Sequence, residues 1–196
     1  SALPSAICSI EDLPPATLTG IFNQPLAPNG FLKDAAFAHS SWMLTQDRFT
    51  HTGASGSQSW DRMSAAGYVF DGTWNAGENI AWLGTTGQYS FTNYILQLHE
   101  QLFLSPDHRF MMLKPEFREM GPGVAQGYFT QGGKTYNAAM ATENFAQSGD
   151  EVFITGVAIN DCDVDNFYDA GEGRGGIGVK ISASNQTLGA TTAAPA

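Results

Sequence analysis

An α+β fold, with its helices gathered ahead of its sheet, is what this sequence predicts, and three observations lead there. Apolar residues recur at helical spacing between Phe31 and Leu104. After Pro115 the pattern changes to short strand-like runs broken by a Gly132-Gly133 turn, which reads as an antiparallel hairpin. Helices and strands therefore come in separate blocks, whereas a doubly wound parallel sheet would alternate them.

The elements follow in chain order. Residues 1–26 contain Pro4, Pro14, Pro15 and Pro25 and read as an extended N-terminal arm. A first helix is predicted over Phe31–Phe49, after the start signal Pro28-Asn29-Gly30, with Phe31, Ala35, Ala38, Trp42 and Phe49 on its buried face. A short helix over Ser57–Ala66 takes Ser57 as N-cap and Gly67 as its left-handed stop. A second long helix covers Phe91–Leu104, burying Tyr94, Ile95, Leu98, Leu102 and Phe103, and Pro106 ends it because proline cannot donate the next backbone hydrogen bond. The hairpin pairs GVAQGYFTQ with KTYNAAMATENFA. Composition shifts at Ser148-Gly149, and VFITGVAIN and GIGVKISAS then read as two strands flanking an acidic loop, with TTAAPA as a linker-like end. The domain reading is therefore an arm over 1–26, a main domain over 27–148 and a β extension with its tail over 149–196.

Composition narrows the function classes. The chain has 196 residues, room for one well-formed core and a short appendage. Its 19 acidic side chains against 9 basic ones give a net charge of −10, which repels nucleic acid and anionic lipid surfaces. No apolar run approaches the roughly 18 residues that span a bilayer, so no transmembrane segment is expected. The charge is uneven: residues 150–196 hold 7 acids and 2 bases, half of the net total.

Three catalytic or cofactor motifs fail on inspection. His99-Glu100 begins a zinc-protease signature, but its fifth position is Phe103. Gly53-Ala54-Ser55-Gly56-Ser57 lacks the closing glycine of a nucleophile elbow. The glycines from Gly171 to Gly176 follow an acidic loop and open a strand, the wrong context for a dinucleotide fingerprint. No nucleophile and base pair is identifiable.

What remains is an ordered set of segments: AAFAHSSWM, FTHTG, DRMSAAGY, GENIA, SPDHR, FREMGPGVA and ENFA. Together, over roughly residues 27–147, they resemble the CAP superfamily of cysteine-rich secretory, antigen 5 and pathogenesis-related 1 proteins, in particular its bacterial branch. The resemblance implies a three-layer α-β-α sandwich, secretion to the cell exterior or surface, and a cavity lined by two His and two Glu that in some members holds zinc or another divalent ion. Carried over by motif, these are His51 of FTHTG, Glu78 of GENIA and His108 of SPDHR; the fourth position falls in QLHEQLF, to Glu100 or His99. Two imidazoles and a carboxylate with an open position suit Zn2+ if they converge. The competing reading has them hydrogen-bonding backbone groups to hold loops together. His39, beside Trp42, reads as a packed helix residue, and Arg109 as a guanidinium placed on carbonyls or on a buried carboxylate.

The acidic stretch from Asp161 to Glu172 has ligand spacing. With Asp161 as position 1, Asp163, Asp165, Phe167, Asp169 and Glu172 fall at 3, 5, 7, 9 and 12 of a calcium loop, Phe167 contributing its carbonyl. Asn166 replaces the usual glycine at position 6, where its tolerance of the left-handed region serves. No helices flank this loop, and ITGVAINDCDVDNFYDAGEGRGGIGV is similar to the calcium-binding repeats of bacterial surface proteins. Cys8 and Cys162 are either free thiols or a tether between the chain ends. Joined, they would close a loop of about 150 residues, worth roughly 4–5 kcal/mol on chain entropy. The leading functional expectation is a non-catalytic extracellular protein that binds a ligand, such as a lipid or peptide, or a divalent metal in the His/Glu cavity, with Ca2+ in the extension. The alternatives are a metal-dependent hydrolase or peptidase acting through His51, Glu78 and His108, and a module of a larger cell-surface protein.

Overall fold

The structure, a computed structural model, describes residues 25–153 continuously and, beyond them, residues 155–156, 160, 173–175, 178–183 and 186–191. The chain divides into two compact units, Ser1–Phe153 and Ile154–Ala196. In the first, chain order is β1 (Ala27–Pro28), α1 (Gly30–Thr45), α2 (Ser59–Ala65), β2 (Trp74–Thr85), α3 (Phe91–Leu104), α4 (Pro106–Met112), β3 (Glu119–Gln131) and β4 (Lys134–Ser148). The sheet order is β1-β3-β4-β2, with β4 antiparallel to both neighbours and β1 parallel to β3.

Strand alternation sorts the side chains into three layers. On β4, Ala138, Met140, Thr142, Asn144 and Ala146 face α1, while Ala139, Ala141, Glu143 and Phe145 face α3 and α4. Every residue from Ala138 to Ala146 is buried, so β4 is the central strand covered on both sides. One side is filled by Leu32, Met43, Met63, Tyr68, Ile80 and Phe129, the other by Leu98 with Ala139 and Ala141. This is the expected α+β, three-layer α-β-α sandwich.

Local chemistry sets the helix ends. Asn29 caps α1, its Oδ1 accepting from the amides of Phe31 and Leu32 at 2.9 and 3.1 Å. Its Nδ2 donates to Glu119, whose other carboxylate oxygen takes the Tyr68 hydroxyl at 2.6 Å; burial and this carboxylate hold the phenol protonated. Gly67 stops α2 at φ +108°, as expected. Gly132 and Gly133 turn the β3–β4 hairpin at φ +60° and +76°, the two positive values of a tight primed turn.

The first helix departs from expectation in length and in face. It ends at Thr45, because Asp47 takes φ +52° and its carboxylate accepts from the Thr130 amide at 2.6 Å. Its buried residues are Leu32, Ala35, Ala36, His39, Ser40 and Met43, whereas Phe31 and Phe49 are about half exposed and Ala38 is exposed. The reason is close approach. Gly121 and Gly123 of β3 lie directly beneath α1, so that a Cβ on either would fall on the helix backbone at Leu32–Lys33 or Ala36–Phe37. A helix resting on strand backbone buries small and polar residues, and apolar periodicity then points to the wrong face.

Smaller corrections follow the same logic. The second helix opens at Ser59 with Gln58 as N-cap, because the Gln58 amide donates to Asp61 at 2.8 Å. Pro106 ends α3 and also opens α4 as its first residue, where a missing N–H costs nothing. Tyr94, Ile95 and Phe103 are only partly covered, leaving Leu98 and Leu102 as the buried pair of α3. In the second unit, Gly178–Ala183 is a strand as expected, but it pairs antiparallel with Gln186–Thr191. Val152, Phe153, Thr155, Gly156 and Asn160, which were expected in a strand, are in none.

Candidate functional site

Two polar clusters occupy opposite faces of the sheet, back to back across β2 and β4. In the register of these strands Glu78 pairs with Asn144 and Asn79 with Glu143. Successive strand residues point to opposite sides, so Glu78 and Asn144 lie under α1 and α2 while Asn79 and Glu143 lie under α3 and α4.

The first cluster is built on Glu78. Its side chain is 3% exposed, and both oxygens are engaged: Oε1 lies 2.8 Å from His51 Nδ1, and Oε2 accepts from Arg62 at 2.5 Å. Arg62 comes from α2, and it also donates to the Ser57 carbonyl at 2.8 Å, which fixes the turn before that helix. His39 packs beside them as expected, 1% exposed and stacked on Trp42 with ring planes 12° apart. Its Nε2 donates to the Thr50 carbonyl at 3.0 Å, leaving Nδ1 as a bare acceptor, and burial holds the ring neutral by lowering its pKa. Three buried polar atoms in this layer have no protein partner: His39 Nδ1, Arg62 Nε and Asn144 Oδ1. Such atoms ordinarily take ordered water or a ligand.

Beside this cluster α1 and α2 diverge to leave a cleft of about 580 Å3. Its walls are Ala35, Ala38 and Trp42 of α1 facing Ala65 and Ala66 at the end of α2, with Asp34, His39, Ser57 and Arg62 contributing the polar part. The cleft is apolar with a few convergent polar groups, the usual composition of a small-molecule site.

The second cluster holds the remaining histidines. His99 Nδ1 lies 3.2 Å from Glu143 Oε1, and Asn79 Nδ2 donates to the other oxygen of Glu143 and to the His108 carbonyl. The His108 imidazole is turned toward its own helical turn, with Nδ1 2.8 Å from Ser105 Oγ. Glu100 is exposed. Arg109 sits on carbonyls, those of Phe103 and Leu104, as a cation at the end of α3.

The structure therefore brings together His51 and Glu78 but not His108, and His99 meets a carboxylate on the opposite side of the sheet. Arg62 and Glu143 are the partners that motif matching passed over, although both lie in quoted segments, DRMSAAGY and ENFA. Among the described residues no three of His, Cys, Asp and Glu form a metal-holding group, and a guanidinium occupies the side of Glu78 where a cation would bind. The acidic stretch from Asp161 to Glu172, expected to hold calcium, and both Cys8 and Cys162 lie outside the described residues.

The Glu143 carboxylate raises the His99 pKa, and the hydrogen bond is the largest cause. A raised folded pKa contributes stability that is fully present below about 6.5 and lost as pH rises through the folded value. A His99→Gln variant is therefore expected to melt below the wild type at pH 5.5, with the gap closing by pH 9. A pH-independent gap would show that His99 acts only by packing.

The chain belongs to the cysteine-rich secretory protein (CAP) family, whose model matches residues 23–145. Among solved structures it is similar to an extracellular SCP-domain protein of Bacillus anthracis, at 28% identity and a TM-score of 0.43 over 63% of this chain and 34% of that one. It is also similar to an outer surface protein of Borrelia burgdorferi, at 15% identity and a TM-score of 0.44 over 65% and 80%. The chain thus spans about a third of the length of the Bacillus protein. No curated protein sequence matches it. Among the described residues no helix is long and apolar enough to cross a membrane.

Proposed function

We propose that this CAP protein is secreted and works by binding an organic ligand in the cleft between α1 and α2, without catalysis, and that calcium stabilises its C-terminal extension. The observation that carries the ligand reading is the state of Glu78. Both of its oxygens are taken by Arg62 and His51, so it is neither a free base nor an open metal ligand, while an apolar cleft with unpartnered polar atoms lies beside it. The Arg62–Glu78 pair shapes the wall of the cleft in this reading. The Trp42 ring and the alanines take the apolar body of the ligand, and the polar lining at Asp34, Ser57 and Arg62 takes its polar end.

Filling the cleft tests this. The probe 1-anilinonaphthalene-8-sulfonate is expected to bind the native protein with a rise in fluorescence, and Ala38→Phe, which projects into the cleft from an exposed helix position, is expected to abolish that rise without lowering the melting temperature. Binding that survives Ala38→Phe, or is absent from the wild type, would overturn the assignment.

The calcium reading rests on five carboxylates within twelve residues at the ligand spacing, which repel one another without a cation. Millimolar calcium is expected to raise the melting temperature and a chelator to lower it. Asp161→Asn with Asp163→Asn should make the protein indifferent to both, and indifference in the wild type would sink the site.

A further inference from the structure

We propose that the open edge of β3, from Gln126 to Tyr128, is a second binding site, one for a neutral saccharide. Among the described residues β1 covers β3 only at Glu119 and Met120, so the rest of that edge has no neighbouring strand. Two outward contacts fix which backbone groups it offers. The Thr130 amide donates outward to Asp47, and the Met120 carbonyl accepts outward from the Asn29 amide at 2.9 Å. With a period of two, Gln126 and Tyr128 present their N–H and C=O groups to the same open side.

The side chains here form a groove of about 470 Å3, within the size range of ligand sites. Tyr128 is 70% exposed, and it forms a wall both of this groove and of a smaller one on its other side against Ser41 and Thr45. Gln88, Gln126 and Asn137 supply amides, and Tyr89 supplies a second ring, held in place by stacking on Tyr94 and by a hydrogen bond from its hydroxyl to the Ala138 carbonyl. Asn137 is pre-set by donating to the Gly87 carbonyl at 2.9 Å, which leaves its Oδ1 as an acceptor. Gln126 and Tyr128 pair with Ala139 and Asn137 on β4, with Gly127 between them.

The chemistry of this surface selects one ligand class. Among the described residues no charged side chain lines the groove, so a phosphate, sulfate or uronate finds no cation there to pair with. An aliphatic ligand would bury amides and edge backbone groups without partners, at a cost. A sugar ring satisfies both halves: its C–H face lies on the exposed tyrosine, and its hydroxyls, each donor and acceptor, meet the amides and the free strand edge.

The test is titration of the intact chain with three neutral hexasaccharides, chitohexaose, cellohexaose and maltohexaose, followed by isothermal calorimetry. At least one is expected to bind. Tyr128→Ala should weaken that binding by roughly tenfold, Tyr128→Phe should keep it, and Trp60→Ala, an exposed ring elsewhere, should leave it unchanged. Binding should also be the same in low and high salt, because no charges take part. No binding by any of the three, binding that ignores Tyr128→Ala, or binding that salt abolishes would each overturn the proposal.

Discussion

Arg62→Ala is expected to destabilise the protein by about 3 kcal/mol. Glu78 has a side chain only 3% exposed, and among the described residues Arg62 is its one permanently charged partner. Removing the guanidinium leaves a buried carboxylate with His51 and, at 4.0 Å, the buried His39 ring, and the penalty is the desolvation of that charge more than the loss of one contact. The double variant Arg62→Met with Glu78→Leu removes both charges and keeps the volume, so it should recover much of the loss. Chemical denaturation of the two single variants and the double measures this as a cycle. A single-variant cost below about 1 kcal/mol, as for a surface pair, would mean that the cluster is solvated and does not shape the cleft.

The second large effect is expected at Gly123. A Cβ there falls on the amide nitrogen and Cα of Phe37 and on the carbonyl carbon of Ala36, all backbone atoms that no rotamer change can move aside. Gly123→Ala must lift α1 from the sheet, at a cost of about 3 kcal/mol, and should loosen the cleft that α1 forms with α2. Gly30→Ala provides the contrast. It lies in the first turn of α1 with open space around the new methyl, and should be neutral or mildly stabilising. Equal effects at the two positions would show that close packing of helix on strand is not what the glycines serve.

How far the sequence spoke for the structure depended on the kind of signal. The hairpin was legible because Gly132-Gly133 separates two long strand-like runs, and α3 because its bounds and its stop at Pro106 are written in local chemistry. The buried face of α1 was not, since a helix packed on Gly121 and Gly123 hides Ala36 and Ser40 and leaves Phe31 outside. β2 escaped the strand reading and was flagged only through GENIA, because as an edge strand carrying Gly77 and Gly84 it lacks a clean alternation. The site was legible in part. Glu78 and His51 lie 2.8 Å apart, whereas His108 joins the other face, because Asn79 and not Glu78 points toward α4. Arg62 was hidden by its type: an arginine in a helical segment reads as a solvated charge until strand register puts a carboxylate in front of it. His99 found its carboxylate 44 residues away on β4, a distance at which local spacing says nothing.

The central claim is that the histidine–carboxylate cluster is an internal ion pair shaping a ligand cleft, with metal confined to the acidic loop. Elemental analysis of protein equilibrated with calcium and zinc and then desalted tests it most directly. The account predicts calcium at about one equivalent per chain, lost from the Asp161→Asn, Asp163→Asn variant, with no stoichiometric zinc. Zinc bound at about one equivalent and lost on Glu78→Gln would contradict it.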